Sequence, residues 1–247
     1  MTTAAAFDKL AERYDDLWTN SSIGRLQRTA VWREIDPLFR CGDHILDIGC
    51  GTGEDARHLM DSGVHLTAMD GSPEMVRIAC ARGVGARILA IEDLDQLSAP
   101  FGGAISDFGA LNCVADLPRF GSALARLISP GGHVALCTMG RFCLWETVYY
   151  GARLQPGKAL RRLAQSGVAS SIGPRIFYPS VRQVQAAMRP GFELIRWMGI
   201  GVAVPPSYVT GHSSQTLTRA AAFDRFAAHW PILRALSDHR LLIFQRK

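Results

Sequence analysis

Three glycines, Gly49, Gly51 and Gly53, follow an acid, Asp47, in the stretch ILDIGCGTGEDARHL that runs from Ile45 to Leu59. Glycines at this spacing let a chain turn tightly and let a ligand approach the backbone. The N–H groups that open the following helix favour negative charge. Nucleotide cofactors are held in this way. A dinucleotide loop would read G-x-G-x-x-G; here the sixth position is Glu54, followed by Asp55. Carboxylates at that end would repel a pyrophosphate, and Asp47 adds a third charge of the same sign. The loop therefore suits a sulfonium-bearing amino acid–nucleoside better than a dinucleotide. Asp70 stands 21 residues after Gly49, where a carboxylate can accept both hydroxyls of a ribose. Such an acid serves NAD and S-adenosylmethionine alike, and an isolated Asp there would by default be a helix cap or a turn acid.

These residues need a frame that brings them to one edge. HILDIG reads as a strand and DARHLMDSG as a helix closed by Gly63; VHLTAMD is a second strand. SPEMVRIACARG is a helix with Ser72 as its N-cap and Pro73 at the first helical position. ARILAI and GGAISDFG supply a third and a fourth strand, DLPRFGSALARLI a helix, and HVALCTM a fifth strand, apolar throughout as a strand covered on both faces should be. This alternation predicts a parallel sheet with right-handed crossovers and helices on both faces. Ligands of such sheets bind beyond the carboxyl ends of the strands.

Two amphipathic patterns precede the first strand, near Ala6–Trp18 and Gly24–Phe39. After Met139 the rhythm changes. One or two helices broken at a Pro-Gly pair, an irregular to extended stretch, a short helix, a strand, a helix and a last strand are expected there. The division expected is a single domain over 1–247: cap helices in 1–40, a cofactor-binding core in 41–140, an insertion over the sheet in 141–190, and C-terminal strands and a helix in 191–247.

Composition is that of a globular protein, with 48% hydrophobic and 20% charged residues. No basic stretch followed by an apolar one marks a secretory signal, and no apolar run reaches the roughly 18 residues of a membrane span. The six cysteines form no C-x-x-C pair; reduced thiols in a cytoplasmic protein are expected. The net charge of +5 is unevenly spread: residues 1–140 carry 12 Lys and Arg against 18 Asp and Glu, and residues 141–247 carry 15 against 4. The basic part either faces an anionic partner or solvates the outer sides of helices.

Five stretches in order, ILDIGCGTGEDARHL, MDGSPEMVRIA, IEDLDQL, ISDFGALNCVADL and SPGGHVAL, resemble the successive motifs of class I S-adenosylmethionine-dependent methyltransferases, in their small-molecule branch. The resemblance covers about Phe7 to Met139. It implies an α/β, Rossmann-like, doubly wound and mainly parallel seven-stranded sheet, with an antiparallel last strand and a helical cap insertion. It also implies S-adenosyl-L-methionine as cofactor and S-adenosyl-L-homocysteine as product. Gly49, Gly51 and Gly53 would pack under the methionine part, with Cys50 offering backbone contacts and Asp47 near the amino end. Asp70 would hold the ribose, Gly71 and Met75 would border the adenine, and Ile91 and Glu92 would lie at its edge. Asp107 and Phe108 would lie near the amino acid part and the transferred methyl. AFDKLAERYDDLW resembles the cap helix of that branch, in which an aromatic at the position of Tyr14 closes over the cofactor; a core aromatic is the competing reading. Relatives often carry an Asp where this chain has Ala90, so Glu92, Asp93 or backbone and apolar contacts would hold the adenine instead.

The acceptor is less legible. Enzymes that methylate exocyclic amines of nucleic acids or glutamine commonly carry Asn or Asp, two prolines and an aromatic after the fourth strand; SDFGALN has no proline pair. No nucleic-acid partner is expected. The reading is a small organic acceptor, anionic or amphipathic, in a pocket roofed by 141–190, with Trp145, Tyr149, Arg175 and Tyr178 as candidate contacts. An alternative is a lipid or quinone-like acceptor, with LWETVYYGARLQPGKALRRL touching a membrane surface; another is a cofactor-binding module without catalysis. Tyr178, His212, His229 and His239 are candidate bases by residue type alone, so the catalytic residue stays unassigned. No metal-ligand spacing is present.

Overall fold

In the computed structural model, which describes residues 3–98, 100–164, 166–170 and 173–247, the first strand forms where Ile45, Leu46 and Ile48 can all be buried. This strand, β1 (His44–Ile48), lies centrally between β2 (His65–Asp70) and β4 (Phe101–Ser106), and both pair with it in parallel. The short β3 (Ala86–Ile88) lies beyond β2. On the other side follow β5 (Ile128–Met139), β9 (His239–Arg246) and β8 (Phe192–Ile200). The sheet order is β3-β2-β1-β4-β5-β9-β8, and β9 runs antiparallel to both of its neighbours. This is the seven-stranded, mainly parallel sheet with an antiparallel last strand that the family resemblance implies.

The helices α3 (Glu54–Asp61), α4 (Pro73–Ala81) and α5 (Leu117–Leu127) are the crossovers. Each starts where its sequence provides for it: Ser72 Oγ accepts from Met75 N, and the Asp116 side chain accepts from Arg119 N. Burial is two-sided. One face packs Leu46, Ile48, Met69, Leu136 and Phe244 with α5 and with α8 (Val181–Met188). The other packs Ile45, Ile105, Ala135, Leu241 and Ile243 with α2 (Ser22–Ile35). At Gly121 a Cβ would lie 2.2 Å from the Ala187 carbonyl, so glycine is what lets α5 and α8 approach.

The amphipathic pattern near Ala6–Trp18 becomes α1 (Thr3–Tyr14) and a wider π-helical turn over Asp15–Thr19. The Pro-Gly pair at 156–157 separates α6 (Leu144–Gly151) from the short α7 (Pro156–Ala159), with Pro156 opening α7. A small hairpin of β6 (Val168–Ala169) and β7 (Arg175–Ile176) follows. The last helix is α9 (Ser214–Ala227). Among the described residues no helix is long and apolar enough to cross a membrane, and the six cysteines are free thiols.

Candidate active site

The carboxyl ends of the central strands open on a cavity of about 640 Å³. Its floor is the glycine loop. Gly49 N and Cys50 N both donate to the Met69 carbonyl, at 2.8 and 2.9 Å, which folds the loop back over β2. Gly49, Gly51 and Gly53 adopt φ of +74°, +53° and +82°, the left-handed region. A Cβ on Gly49 would lie 2.4 Å from that of Ala110, and one on Gly53 3.0 Å from that of Ala79. At Gly51, which lines the cavity, a Cβ would meet nothing within 4 Å. Two of the glycines thus permit close packing, and the third leaves space for a ligand.

Asp70 ends β2 at the cavity wall. Its Oδ2 accepts from Gly51 N at 3.0 Å and its Oδ1 from Ser72 N at 2.8 Å. Burial raises the Asp70 carboxyl above its ordinary value against those two hydrogen bonds. Next to it, Gly71, Ser72 and Met75 from the start of α4 and Ala90, Ile91 and Glu92 from the following 3-10 turn face the same space.

Deeper in, three buried carboxyls lie within the field of one guanidinium, which pairs with only one of them. Arg28, buried on α2, pairs with Asp55, which also accepts from Trp32 Nε1 at 2.7 Å. Asp47 and Asp107 are buried too, but Asp47 Oδ2 and both Asp107 oxygens have no hydrogen-bond partner. Burial first, then repulsion from neighbouring acids (Asp55 and Asp70 for Asp47, Asp55 and Asp47 for Asp107), pushes both carboxyls well above their ordinary values. Unpartnered buried carboxylates are costly; a cationic ligand beside them would relieve both. Phe108, which follows, sits at φ +48° with its ring 5.4 Å from those of Trp18 and His239.

The first helix closes one side. Thr3, Ala4, Phe7 and Tyr14 line the cavity. Asp8 Oδ1 accepts from Ser72 Oγ at 2.6 Å and from Glu74 N at 3.1 Å, and Asp15 takes Thr52 Oγ1 at 2.8 Å and pairs with Arg82. Tyr14 is half-buried, and desolvation pushes its phenol up to about 12 against the opposing charge of Arg28.

The opposite side is a roof in which Arg161, Val168, Ala169, Ser170, Ile176 and Tyr178 face inward. A buried network fixes it. Glu146 on α6 accepts from Arg161 Nε at 2.8 Å, from Arg162 Nη2 at 2.9 Å and from Tyr208 Oη at 2.9 Å. Arg162 also reaches Asp238 at 2.7 Å, just before β9. Burial would push the Glu146 and Asp238 carboxyls up; Arg161 and Arg162 at Glu146, and His239 and Arg162 at Asp238, outweigh it and hold both below their ordinary values.

Of the residues that the sequence singled out, Tyr14, Gly49, Gly51, Asp70, Gly71, Met75, Ile91, Glu92, Asp107, Phe108 and Tyr178 line this cavity. Asp47 lies beneath it, buried. The other expected residues have different surroundings. The Cys50 backbone is engaged within the loop, its N–H with Met69 and its carbonyl with Gly53 N. Gly53 faces Ala79 and Val84 rather than open space. Outside the cavity lie Trp145, edge-on to His212, Tyr149, stacked under Arg153, and Arg175, whose guanidinium is held by the carbonyls of Ser166 and Gly167. Among the described residues no group of three His, Cys, Asp or Glu could hold a metal ion.

The floor with space above Gly51, the carboxylate at the end of β2 and two unpartnered buried acids together fit a nucleoside that carries positive charge. A family model of the methyltransferase domain matches residues 9–195. This chain belongs to the methyltransferase domain family. It is an S-adenosylmethionine-dependent enzyme. Over 238 residues the methyltransferase is 30% identical to a malonyl-[acyl-carrier protein] O-methyltransferase of Pseudescherichia vulneris, covering 92% of this chain and 88% of that one. Over 142 residues it is 33% identical to a demethylmenaquinone methyltransferase of Clavibacter sepedonicus, covering 54% of this chain and 56% of the relative, so that match spans just over half the relative's length. The solved structure of an S-adenosylmethionine-dependent methyltransferase of Thermotoga maritima, a possible histamine N-methyltransferase, shares the fold with a TM-score of 0.66 at 16% identity, covering all of both chains.

Several groups that shape the methyltransferase's site carry no signal in the sequence. Asp8 and Asp15 lie on a helix whose pattern advertises only its apolar face. Arg28 looks like any arginine of an amphipathic helix, and Glu146, Arg161, Arg162 and Asp238 meet only through the fold. One hint was available: Glu146 is the only acid in 141–190.

Proposed function

We propose that the methyltransferase transfers a methyl group to a small organic acceptor with an apolar body and a polar or anionic end, held beneath Arg161, Val168, Ile176 and Tyr178. The observation that carries this reading is the continuity of one cavity from Asp70 and Glu92 to Arg161 and Tyr178. Its volume suits small ligands. S-adenosylmethionine supplies a methyl group made electrophilic by its attachment to a positively charged sulfur.

The chain's own residues then act by holding and shielding. Asp70, already fixed by Gly51 N and Ser72 N, presents its free lone pairs to the ribose hydroxyls. Gly71, Met75 and Ile91 give an apolar slot for the adenine, with Glu92 at its edge. Asp47 and Asp107, whose ionisation burial disfavours in the ligand-free pocket, would take up negative charge beside a cationic methionine end, and Tyr14 keeps its proton and closes the slot from α1. On the acceptor side Cys113, Val114, Met139, Val168 and Ile176 form apolar walls. Arg161 is the one cationic side chain among the described lining residues. It is where a carboxylate or other electron-rich oxygen of the acceptor would rest. The relatives named for malonyl-[acyl-carrier protein] and for demethylmenaquinone support acceptors of this build. Transfer in line mainly requires positioning.

The test is a panel of small carboxylates, phenols and quinols incubated with the enzyme and S-adenosylmethionine, with S-adenosylhomocysteine followed over many turnovers. Sustained product with a compound of the apolar-plus-polar class is the expected result. Turnover restricted to nucleic acid, or to purely cationic amines, would overturn the reading.

A further inference from the structure

The segment that carries the cavity roof is unusual on its outer side. Every residue from Gly151 to Lys158 is exposed, forming a knuckle that runs from the last residue of α6 through the turn into α7. Around it stand exposed aliphatic side chains: Leu144, Val148 at 57%, Leu154 at 89%, Leu160 and Leu163. Isolated apolar residues on a surface are ordinary, whereas several together within twenty residues form a patch that invites a partner.

The charges of the patch are all of one sign. Residues 144–163 contain a single carboxylate, Glu146, and it is buried under Arg161, Arg162 and Tyr208. Arg153 and Lys158 are exposed, each over a tyrosine ring: Arg153 lies 3.6 Å from the Tyr149 ring centre and Lys158 5.5 Å from that of Tyr150. Leu154 sits at the tip with φ +56°, a left-handed conformation that costs a leucine energy and suits Asn or Gly. That conformation closes α6, with Gln155 N donating to the Tyr150 carbonyl and Leu154 N to the Gly151 carbonyl, each at 3.0 Å, and the cap carries a leucine that is 89% exposed.

We propose that this knuckle docks the enzyme on an anionic lipid bilayer, with Leu154, Val148 and Leu160 entering the interface and Arg153 and Lys158 meeting lipid phosphates. Leucines among tyrosines and cations, with no exposed acid, are the composition that an anionic bilayer surface selects. An acidic protein surface would answer the cations, but it would offer little apolar cover to Leu154, Val148 and Leu160 together. Because the inner side of the same segment walls the cavity at Arg161, docking would place the roof next to lipid, and acceptors dissolved in the bilayer would reach the cavity directly. That last consequence rests on the proposed acceptor site; the docking itself does not.

The experiment is co-sedimentation of the full-length protein with vesicles of phosphatidylcholine, with and without phosphatidylglycerol, at low and high salt. S-adenosylmethionine binding is measured in parallel by calorimetry. Wild type should sediment with the anionic vesicles in a salt-sensitive way. Arg153→Glu with Lys158→Glu should weaken this roughly tenfold or more, as should Leu154→Asn, which relaxes the backbone instead of straining it. Unchanged cofactor affinity in both variants shows that the fold and the donor site persist, so failure of docking is separable from failure of the acceptor reading. Absence of binding to anionic vesicles, or equal binding by wild type and variants, overturns the proposal. So does the outcome in which the same variants lose binding only to an acidic carrier protein.

Discussion

Gly51 N donates to Asp70 Oδ2 at 3.0 Å, so the middle glycine of the loop and the acid at the end of β2 are one unit, although 19 residues separate them. Asp70→Asn keeps the shape but reduces the charge and the acceptor capacity. It should weaken binding of both S-adenosylmethionine and S-adenosylhomocysteine by about 1–3 kcal/mol, the scale for hydrogen bonds to an ionised group. Titration calorimetry checks this, and unchanged affinity for both ligands would remove Asp70 from the site.

The glycines separate into two behaviours. Gly49→Ala puts a methyl against Ala110 at 2.4 Å and strains a positive φ, so it should lower stability by roughly 2–4 kcal/mol. Gly51→Ala meets no protein atom within 4 Å. It should lose only about 1 kcal/mol of stability through its left-handed φ while S-adenosylmethionine affinity falls roughly tenfold or more. Thermal melts with and without cofactor distinguish the two; equal loss of stability in both variants would contradict the packing difference.

Asp107 gives a prediction whose sign is opposite for stability and binding. Its folded-state carboxyl titrates well above its ordinary value because it is buried without a partner and close to Asp55 and Asp47. Because the unfolded carboxyl ionises more readily than the folded one, this costs the ligand-free protein stability at neutral pH, and the cost fades as pH falls through the raised folded value towards the unfolded one. Asp107→Asn should therefore raise the melting temperature of the ligand-free protein by a few degrees at neutral pH. The gain should shrink on acidification, and cofactor affinity should fall. Melts across a pH series measure this; a destabilised variant at neutral pH is the contrary result.

Glu146 behaves the other way. Arg161 and Arg162 overcome its burial and hold its carboxyl below the ordinary value, so its contribution is present above the unfolded value and is lost as pH falls through the folded one. Glu146→Gln leaves Arg162 short of a counter-charge and should cost about 3 kcal/mol at neutral pH, less in acid. The effect on catalysis should concentrate on the acceptor's KM, with the cofactor's Kd nearly unchanged, because Glu146 holds the roof and not the glycine loop. A loss confined to cofactor affinity would argue against that division.

The parts of this molecule written as short, local patterns were readable in advance. The glycine spacing, Ser72 and Pro73 opening a helix, and the βα alternation each express a backbone requirement within a few residues. Sheet order and the antiparallel last strand came through the resemblance of those patterns in sequence. Contacts between distant polar groups were not readable, since Asp8 with Ser72 and Glu146 with Arg162 have no characteristic spacing. The aromatic residues of the roof show the same limit. Composition could not say that Tyr178 faces inward while Tyr149 lies under Arg153 and Trp145 against His212.

The docking of α1 on α4 through Asp8 has a kinetic meaning. A chamber that has the first helix of the chain as one wall exchanges its contents more freely when that wall is loosened. Product release and donor entry would then quicken together. The two hydrogen bonds at Asp8 therefore act as a latch on the turnover clock: loosening them would trade residence time for throughput without touching any group around the reacting atoms.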